Sequence, residues 1–212
     1  MVRDLVLASA IAYLLGSIPF GLILVRVFRG IDVRQTGSGN IGTANVARLA
    51  PGLGLWTLIL DSAKGLVAVL IARVIASHAP SDSGGLHSSA VIVGAGALFA
   101  VLGSIFSVFL KGKGGKGVAA AMGVFLGLSP WAVLVCAVVY VLIYLIWHYT
   151  SLASITSVAI FPLIAAIFIA PDERRVLLPF IVALCLLIIL KHHQNIRRLL
   201  AGTENRLDLK RQ

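Results

Sequence analysis

The sequence has little charge and little cysteine, and each shortage excludes a class of protein. Only 12% of its 212 residues are charged, whereas 59% are hydrophobic, and a soluble domain of this length cannot bury so much apolar surface. The two cysteines, Cys136 and Cys185, lie inside apolar runs, which indicates packing residues and not a disulfide or a metal pair. The composition therefore predicts an integral membrane protein.

Acidic residues are scarce as well: 8 Asp and Glu stand against 18 Lys and Arg, for a formal net charge of +10. No basic helix with interleaved aromatic residues lies outside the apolar runs, so we expect no nucleic-acid partner. Membrane lipid explains the net positive charge instead, because basic residues on an inner membrane face attract anionic headgroups. We assign Arg206, Lys210 and Arg211 to that role.

Seven apolar runs predict an all-α fold in which residues 1–212 form one membrane-embedded domain. The first run, residues 5–25, is about 31 Å long as a helix and can cross a hydrocarbon core. Residues 118–128 reach only about 16 Å, so we expect a short, broken or partly re-entrant segment there. The other five runs, each bounded by Gly, Pro, Ser or charge, are residues 53–77, 89–110, 131–147, 152–170 and 175–190.

The basic residues predict the orientation, because Lys and Arg concentrate in cytoplasmic loops. With about seven transmembrane helices and the N-terminus outside, residues 111–117 and the basic C-terminal tail fall on the cytoplasmic side. Residues 80–88 then form an external loop. If residues 118–147 were a single span, the tail would emerge on the opposite face, so seven is the better count.

Residues 111–117 read Lys-Gly-Lys-Gly-Gly-Lys-Gly between two apolar runs. Glycine lets backbone N–H groups approach an anion, and lysine adds mobile positive charge, so the loop predicts a phosphate site. A nucleotide-binding P-loop needs Ser or Thr where Gly117 stands, which argues against nucleotide hydrolysis. A flexible, positively charged anchor is the alternative interpretation.

Residues 37–48 formally satisfy the Gly-x-Gly-x-x-Gly pattern of dinucleotide-binding proteins, yet no strand precedes them and no βαβ unit fits a membrane span. The glycines still let the backbone wrap an anion. Ser38 and Asn40 can bond a polyol, and Arg48 can bind phosphate through two parallel hydrogen bonds. A tight loop that caps the next helix is the alternative.

Two more polar clusters, residues 148–154 and 191–204, fall on the same predicted side of the membrane. The first brings hydroxyl groups, among them Ser151, to the mouth of two spans, although serine there is often only a helix N-cap. In the second, a helix places His192 and Asn195 on one face, with a solvated juxtamembrane helix as the alternative. Four clusters on one side predict a shared pocket.

Asp61 and Lys64 stand one helical turn apart inside an apolar run. Ionisable groups at that depth are costly unless they face protein or water. We interpret them as a structural pair that steadies the neighbouring loops.

Five ordered motifs, within residues 37–48, 60–65, 113–119, 151–154 and 191–204, resemble those of the bacterial acyl-phosphate:glycerol-3-phosphate acyltransferases, the PlsY family. The resemblance implies a multi-pass enzyme of the bacterial inner membrane with its active site on the cytoplasmic face. Such an enzyme moves a fatty acyl group from acyl phosphate to the sn-1 hydroxyl of glycerol 3-phosphate and releases lysophosphatidic acid and phosphate, the first acylation of phospholipid synthesis. It needs no cofactor, metal, coenzyme A or acyl carrier protein.

The resemblance also implies roles for individual residues. Catalysis would rest on His192, Asn195 and Ser38, with either His192 or a phosphate oxygen of the substrate as the base. Lys113 would be the principal lysine ligand of the phosphate, and Lys116 a supporting charge. The full set expected to bind substrate is Ser38, Gly39, Asn40, Arg48, Lys113, Lys116, Ser151, His192 and Asn195.

Ser104 departs from the family, which usually has histidine at that position. An acyltransferase with a different donor or acceptor is therefore one alternative. A transporter for a small organic phosphate is the other, because basic clusters at helix ends also suit anion translocation. The sequence shows neither a polar pathway at the midplane nor a convincing inverted repeat, so we favour the acyltransferase.

Overall fold

A computed structural model describes residues 1–79 and 86–207, and within these ranges it contains α-helices, short 3-10 turns and no strand. The all-α prediction is therefore confirmed. Lys210, Arg211 and most of the predicted external loop at 80–88 lie outside the described residues. The helices are α1 (Val2–Ser17), α2 (Phe20–Arg29), α3 (Thr43–Leu49), α4 (Pro51–Ser77), α5 (Leu86–Ile105), α6 (Val118–Leu128), α7 (Pro130–Trp147), α8 (Thr150–Phe168), α9 (Pro171–Lys191) and α10 (His193–Leu200).

Several helical segments can cross a membrane. The pair α9 and α10, bent by 55°, makes one such segment if it counts as a single span, whereas α6 is too short at 11 residues, as the sequence predicts. The count of about seven crossings and the orientation of the termini stay predictions. Within the described chain, the four segments that are long and apolar enough by themselves are Val2–Arg29, Ser88–Leu110, Pro130–Trp147 and Thr150–Phe168.

The first apolar run is not one continuous helix, so the prediction for residues 5–25 was wrong on this point. α1 ends at Ser17 and α2 begins at Phe20, and Ile18 between them has extended backbone angles (φ −61°, ψ 118°). Proline causes the break, because Pro19 cannot donate a backbone hydrogen bond and disfavours the α conformation at the residue before it.

α4 braces this break through a buried ion pair. Nζ of Lys64 lies 2.6 Å from Oδ1 of Asp61 and donates a 2.6 Å hydrogen bond to the carbonyl oxygen of Ile18. The cation therefore satisfies both a buried carboxylate and a carbonyl group at the end of α1. The predicted pairing of the two residues is therefore confirmed, and their structural role stays a prediction.

α6 is held against α4 by direct backbone contact. A Cβ atom on Gly65 would meet the carbonyl oxygen of Ala120, and one on Gly123 would meet that of Ser62, so glycine is required for this approach. The Ser62 hydroxyl also donates to the carbonyl of Ala119 at 3.0 Å. Contacts with α4 thus hold the short helix α6 in place, and with it the lysine-rich loop that precedes α6.

The main apolar core includes both cysteines. Cys136 on α7 and Cys185 on α9 are buried and free. Their interpretation as packing residues is therefore confirmed.

After α10 the chain returns to the connection between α7 and α8. The N–H of Leu207 donates to the carbonyl of His148 at 3.0 Å, and the Tyr144 hydroxyl donates to the carbonyl of Leu207 at 3.0 Å. Gly202 turns the chain with a φ of 68°, a conformation that favours glycine. The return brings residues 203–206 beside the N-terminus of α8.

Candidate active site

A cavity of about 500 Å³ lies among α3, α4, α6, α7, α8 and α10, and all four polar clusters contribute to it. The predicted shared pocket is therefore present. Of the nine residues expected to bind substrate, Gly39 and Lys113 do not line the cavity. The seven that do are Ser38, Asn40, Arg48, Lys116, Ser151, His192 and Asn195.

Asn45 holds together the loop that carries Ser38 and Asn40. Its Nδ2 donates to three backbone carbonyls within residues 33–40 at 2.8–3.1 Å, and its Oδ1 accepts from the N–H of Ser38 at 2.9 Å. Gly39 has a φ of 69°, so the place of this glycine is the turn itself. Asn45 thus positions the backbone from which the two polar side chains reach the cavity.

The backbone amides of residues 111–115 are already used by the protein, because each of them donates to a carbonyl group within residues 104–110. Gly115, for example, donates to Ser104 at 3.0 Å. The expectation of a glycine cradle of free amides was therefore wrong for these five residues. The glycines allow close packing instead: a Cβ atom on Gly114 would meet the carbonyl oxygen of Ser104.

Of the three lysines in this loop, Lys116 is the one that lines the cavity. Its Nζ donates a 2.6 Å hydrogen bond to Oδ1 of Asn195. Burial lowers the pKa of Lys116 to about 8, against the opposing effect of the Glu204 carboxylate. Lys113 is exposed, so the structure brings the supposed supporting lysine into the cavity and leaves the supposed principal one outside its lining.

Glu204 is the centre of the polar network. Its carboxylate accepts hydrogen bonds from the Ser151 hydroxyl at 2.8 Å, from Nδ2 of Asn195 at 2.6 Å and from Nε of Arg198 at 2.7 Å. Burial raises the pKa of Glu204, but these hydrogen bonds outweigh burial and hold the pKa below its usual value. Glu204 and Arg198 are functional candidates that were not predicted, although both stand inside the motif at 191–204.

His192 is 2% exposed and lines the cavity where α9 ends. Its Nδ1 lies 2.8 Å from the carbonyl oxygen of Ile188. A carbonyl can only accept, so Nδ1 carries the hydrogen, and in the neutral imidazole Nε2 is then a hydrogen-bond acceptor. This is the tautomer that a base, or an acceptor for a hydroxyl group, requires.

Arg48 reaches the polar end of the cavity from α3, and its Nη2 donates to the carbonyl of Asn205 at 3.3 Å. Arg48, Lys116 and Arg198 together outnumber the single carboxylate of Glu204 at this end. The ion pair of α4 also lines the cavity, but it is neutral overall. The polar end therefore has an excess of positive charge and suits an anion.

Away from these charges the cavity is apolar. α6, α7 and α8 contribute side chains such as Met122, Phe125, Val133, Val158 and Phe161. One continuous cavity thus combines a cationic end with an apolar interior, and it can hold an amphiphilic anion.

Comparison with known proteins identifies the family. A family model described as glycerol-3-phosphate acyltransferase matches residues 6–202. The chain is 47% identical over 195 residues to a glycerol-3-phosphate acyltransferase of Geotalea daltonii, covering 92% of this chain and 93% of the relative. It is 46% identical over 208 residues to that of Geobacter sulfurreducens, covering 97% and 98%.

Two solved structures are similar over nearly the whole chain. Both are crystal structures of PlsY, an integral membrane glycerol 3-phosphate acyltransferase. The glycerol 3-phosphate form has a TM-score of 0.83 at 36% identity and covers 98% of this chain and 97% of that one. The lysophosphatidic acid form has a TM-score of 0.81 at 37% identity and covers 97% and 96%. Fold, site and similarity agree, and this chain belongs to the glycerol-3-phosphate acyltransferase family.

Proposed function

We propose that this protein, as one membrane-embedded domain, transfers a fatty acyl group from acyl phosphate to the sn-1 hydroxyl of glycerol 3-phosphate, giving lysophosphatidic acid and phosphate. The observation that carries the proposal is the cavity whose cationic end continues into an apolar interior. The membrane is the bacterial inner membrane, and the polar end faces the cytoplasm. The reaction uses no coenzyme A, acyl carrier protein or metal.

The polar end suits glycerol 3-phosphate because its charges and hydrogen-bonding groups match a phosphorylated polyol. Arg48 and Lys116 neutralise the phosphate dianion. Ser38 and Asn40 supply a hydroxyl and an amide for the glycerol oxygens. Glu204 fixes the side chains of Ser151 and Asn195 in the network and does not itself touch the phosphate, since like charges repel.

The apolar interior suits the acyl chain of the donor, whose phosphate then lies near the same cations. The attacking hydroxyl oxygen forms a bond to the acyl carbonyl carbon, and the bond from that carbon to the phosphate oxygen breaks. Acyl phosphate is a mixed anhydride with a good leaving group, so positioning and charge neutralisation can carry much of the catalysis. The hydroxyl proton passes either to Nε2 of His192 or to a phosphate oxygen.

The test is turnover by the purified protein in a lipid phase, with palmitoyl phosphate and glycerol 3-phosphate as substrates. We expect lysophosphatidic acid and phosphate in equal amounts. Product from palmitoyl coenzyme A but not from palmitoyl phosphate would contradict the proposed donor. Uptake of glycerol 3-phosphate into sealed vesicles without acylation would favour the transporter.

His192→Ala identifies the proton acceptor. If Nε2 is the base, the variant loses most of its kcat and the acidic limb of its pH–rate profile disappears. If a substrate phosphate is the base, the variant keeps substantial activity and an unshifted profile.

A further inference from the structure

We infer that Phe125 and Phe161 form the floor of the acyl site and limit the length of the fatty chain that this enzyme accepts. We call these two rings the aromatic floor. The inference rests on the function proposed above, because it assigns the apolar interior of the cavity to the acyl chain of the donor.

The depth of the lining residues places the two rings at the closed end. On α6 the residues lining the cavity extend as far as Phe125, and on α8 they extend from Thr150 as far as Phe161. A helix rises 1.5 Å per residue, so Phe161 lies about 15 Å below Ser151 and the network of Glu204. The polar head of a donor and the aromatic floor are therefore separated by roughly the length of a fatty chain.

The cavity lining on α7 begins close to the connection between α6 and α7. α7 follows α6 after the single residue Ser129, and the first residue of α7 that lines the cavity is Val133. Phe125 precedes Ser129 by four residues and Val133 follows it by four, so each lies about one helical turn from the connection. The lining residues of α6 and α7 thus stop at the same distance from this connection.

The two rings form a rigid surface. Their centroids are 3.8 Å apart with an angle of 16° between the planes, and Phe125 and Phe161 are 4% and 1% exposed. Stacked, buried rings in a close-packed interior do not yield easily to an additional methylene group. A chain that reaches the aromatic floor is therefore stopped there.

Small side chains lie behind the aromatic floor. Ala165 stands one turn beyond Phe161 on α8, Ala132 adjoins Val133 on α7, and both alanines are 0% exposed. Removal of a ring would therefore extend the cavity, because no large side chain at these two positions replaces it. On α8, therefore, the ring of Phe161 limits the depth, whereas on α6 the buried Leu128 follows Phe125 by three residues.

The test measures kcat/KM for a series of saturated acyl phosphates, from lauroyl to arachidoyl, with the wild type and with ring variants. We expect Phe125→Ala and Phe161→Ala to raise the preference for stearoyl over myristoyl phosphate by about tenfold or more, since single methylene groups already discriminate to that degree. Val158→Phe, which adds a ring above the floor, should shift the preference towards shorter donors. The KM for glycerol 3-phosphate should stay within about twofold in all three.

Val124→Ala is the matched control. Val124 is 0% exposed and adjoins Phe125 but does not line the cavity. The substitution therefore removes packing contacts without lengthening the acyl site. It should keep the wild-type chain preference.

Active ring variants that retain the wild-type preference would overturn the inference and leave the proposed function intact. If a ring-to-alanine variant cannot be purified, Phe161→Leu and Val158→Phe carry the same test in opposite directions. A wild type that turns over no acyl phosphate of any length would overturn both proposals.

Discussion

The ammonium of Lys116 and the side-chain amide of Asn195 are joined by a 2.6 Å hydrogen bond that links the loop before α6 to α10. The same amide donates to Glu204 through its nitrogen. A cation on one side and a carboxylate on the other therefore leave Asn195 a single orientation. Two segments that are 79 residues apart in sequence thereby acquire a defined spacing at the polar end.

The pKa of Lys116, lowered by burial to about 8, predicts an alkaline limit on substrate binding. Below about pH 8 the side chain is charged, and above it the cation is lost, so kcat/KM for glycerol 3-phosphate should fall. A bound phosphate raises this pKa, so kcat should fall only at higher pH. Lys116→Arg keeps its charge beyond pH 10 and should lose the alkaline limb. A wild-type profile that stays flat to about pH 10 would contradict this prediction.

Glu204→Ala should destabilise the folded protein, because it leaves the buried donors of Ser151 and Asn195 and the partly exposed guanidinium of Arg198 without their acceptor. We expect a loss of about 3 kcal/mol in the free energy of unfolding, measured by thermal denaturation in detergent. Glu204→Gln retains an acceptor oxygen and should lose less. Asp172→Ala, which removes an exposed carboxylate at the start of α9, should cost less than about 1 kcal/mol. Equal losses at the two positions would refute a central role for Glu204.

The ion pair of α4 should show strong coupling in a double-mutant cycle. Lys64→Met leaves the Asp61 carboxylate buried and unpaired, which we expect to cost about 3–5 kcal/mol. Adding Asp61→Asn removes that charge, so the double variant should be more stable than Lys64→Met alone. Additive losses would mean that Lys64 acts chiefly through the carbonyl of Ile18.

Arg48 and Lys113 should differ in how they act on glycerol 3-phosphate. Arg48 lines the cavity, so Arg48→Ala should raise the KM by at least about tenfold, the loss of a charge-assisted hydrogen bond. Lys113 is exposed, so Lys113→Ala should raise the KM less than Arg48→Ala does. Added salt should abolish the difference in KM between Lys113→Ala and the wild type. Lys111→Ala is the control and should leave the KM unchanged. A large, salt-independent effect at Lys113 would instead identify a direct ligand that moves on binding.

Local patterns in the sequence predicted much of this arrangement. The bounds of α6 and the convergence of Ser38, Arg48, His192 and Asn195 followed from apolar runs and from charge on one predicted side, both of which depend on short stretches of chain. Residues 17–19 also contain a local signal for the break between α1 and α2, namely the effect of Pro19 on the residue before it.

The remainder depends on contacts between distant segments. Nothing in residues 203–206 indicates that Glu204 is buried, because its partners Ser151 and Asn195 come from two other elements. Likewise, the backbone amides of residues 111–115 looked free in sequence, whereas the end of α5 and the turn that follows it accept hydrogen bonds from them. Whether a carboxylate is buried, or a backbone amide already hydrogen-bonded, depends on the folded chain and not on the local sequence.

The return of the chain after α10 has a consequence for biogenesis. The polar end needs Ser38 from near the beginning of the chain and Glu204 from near its end, and Leu207 secures the latter segment to His148. A nascent polypeptide that still lacks these last residues cannot assemble the network. Residues 204–207 must therefore be synthesised and folded back before the protein can turn over substrate, so a chain inserted only as far as α9 releases no lysophospholipid into the bilayer.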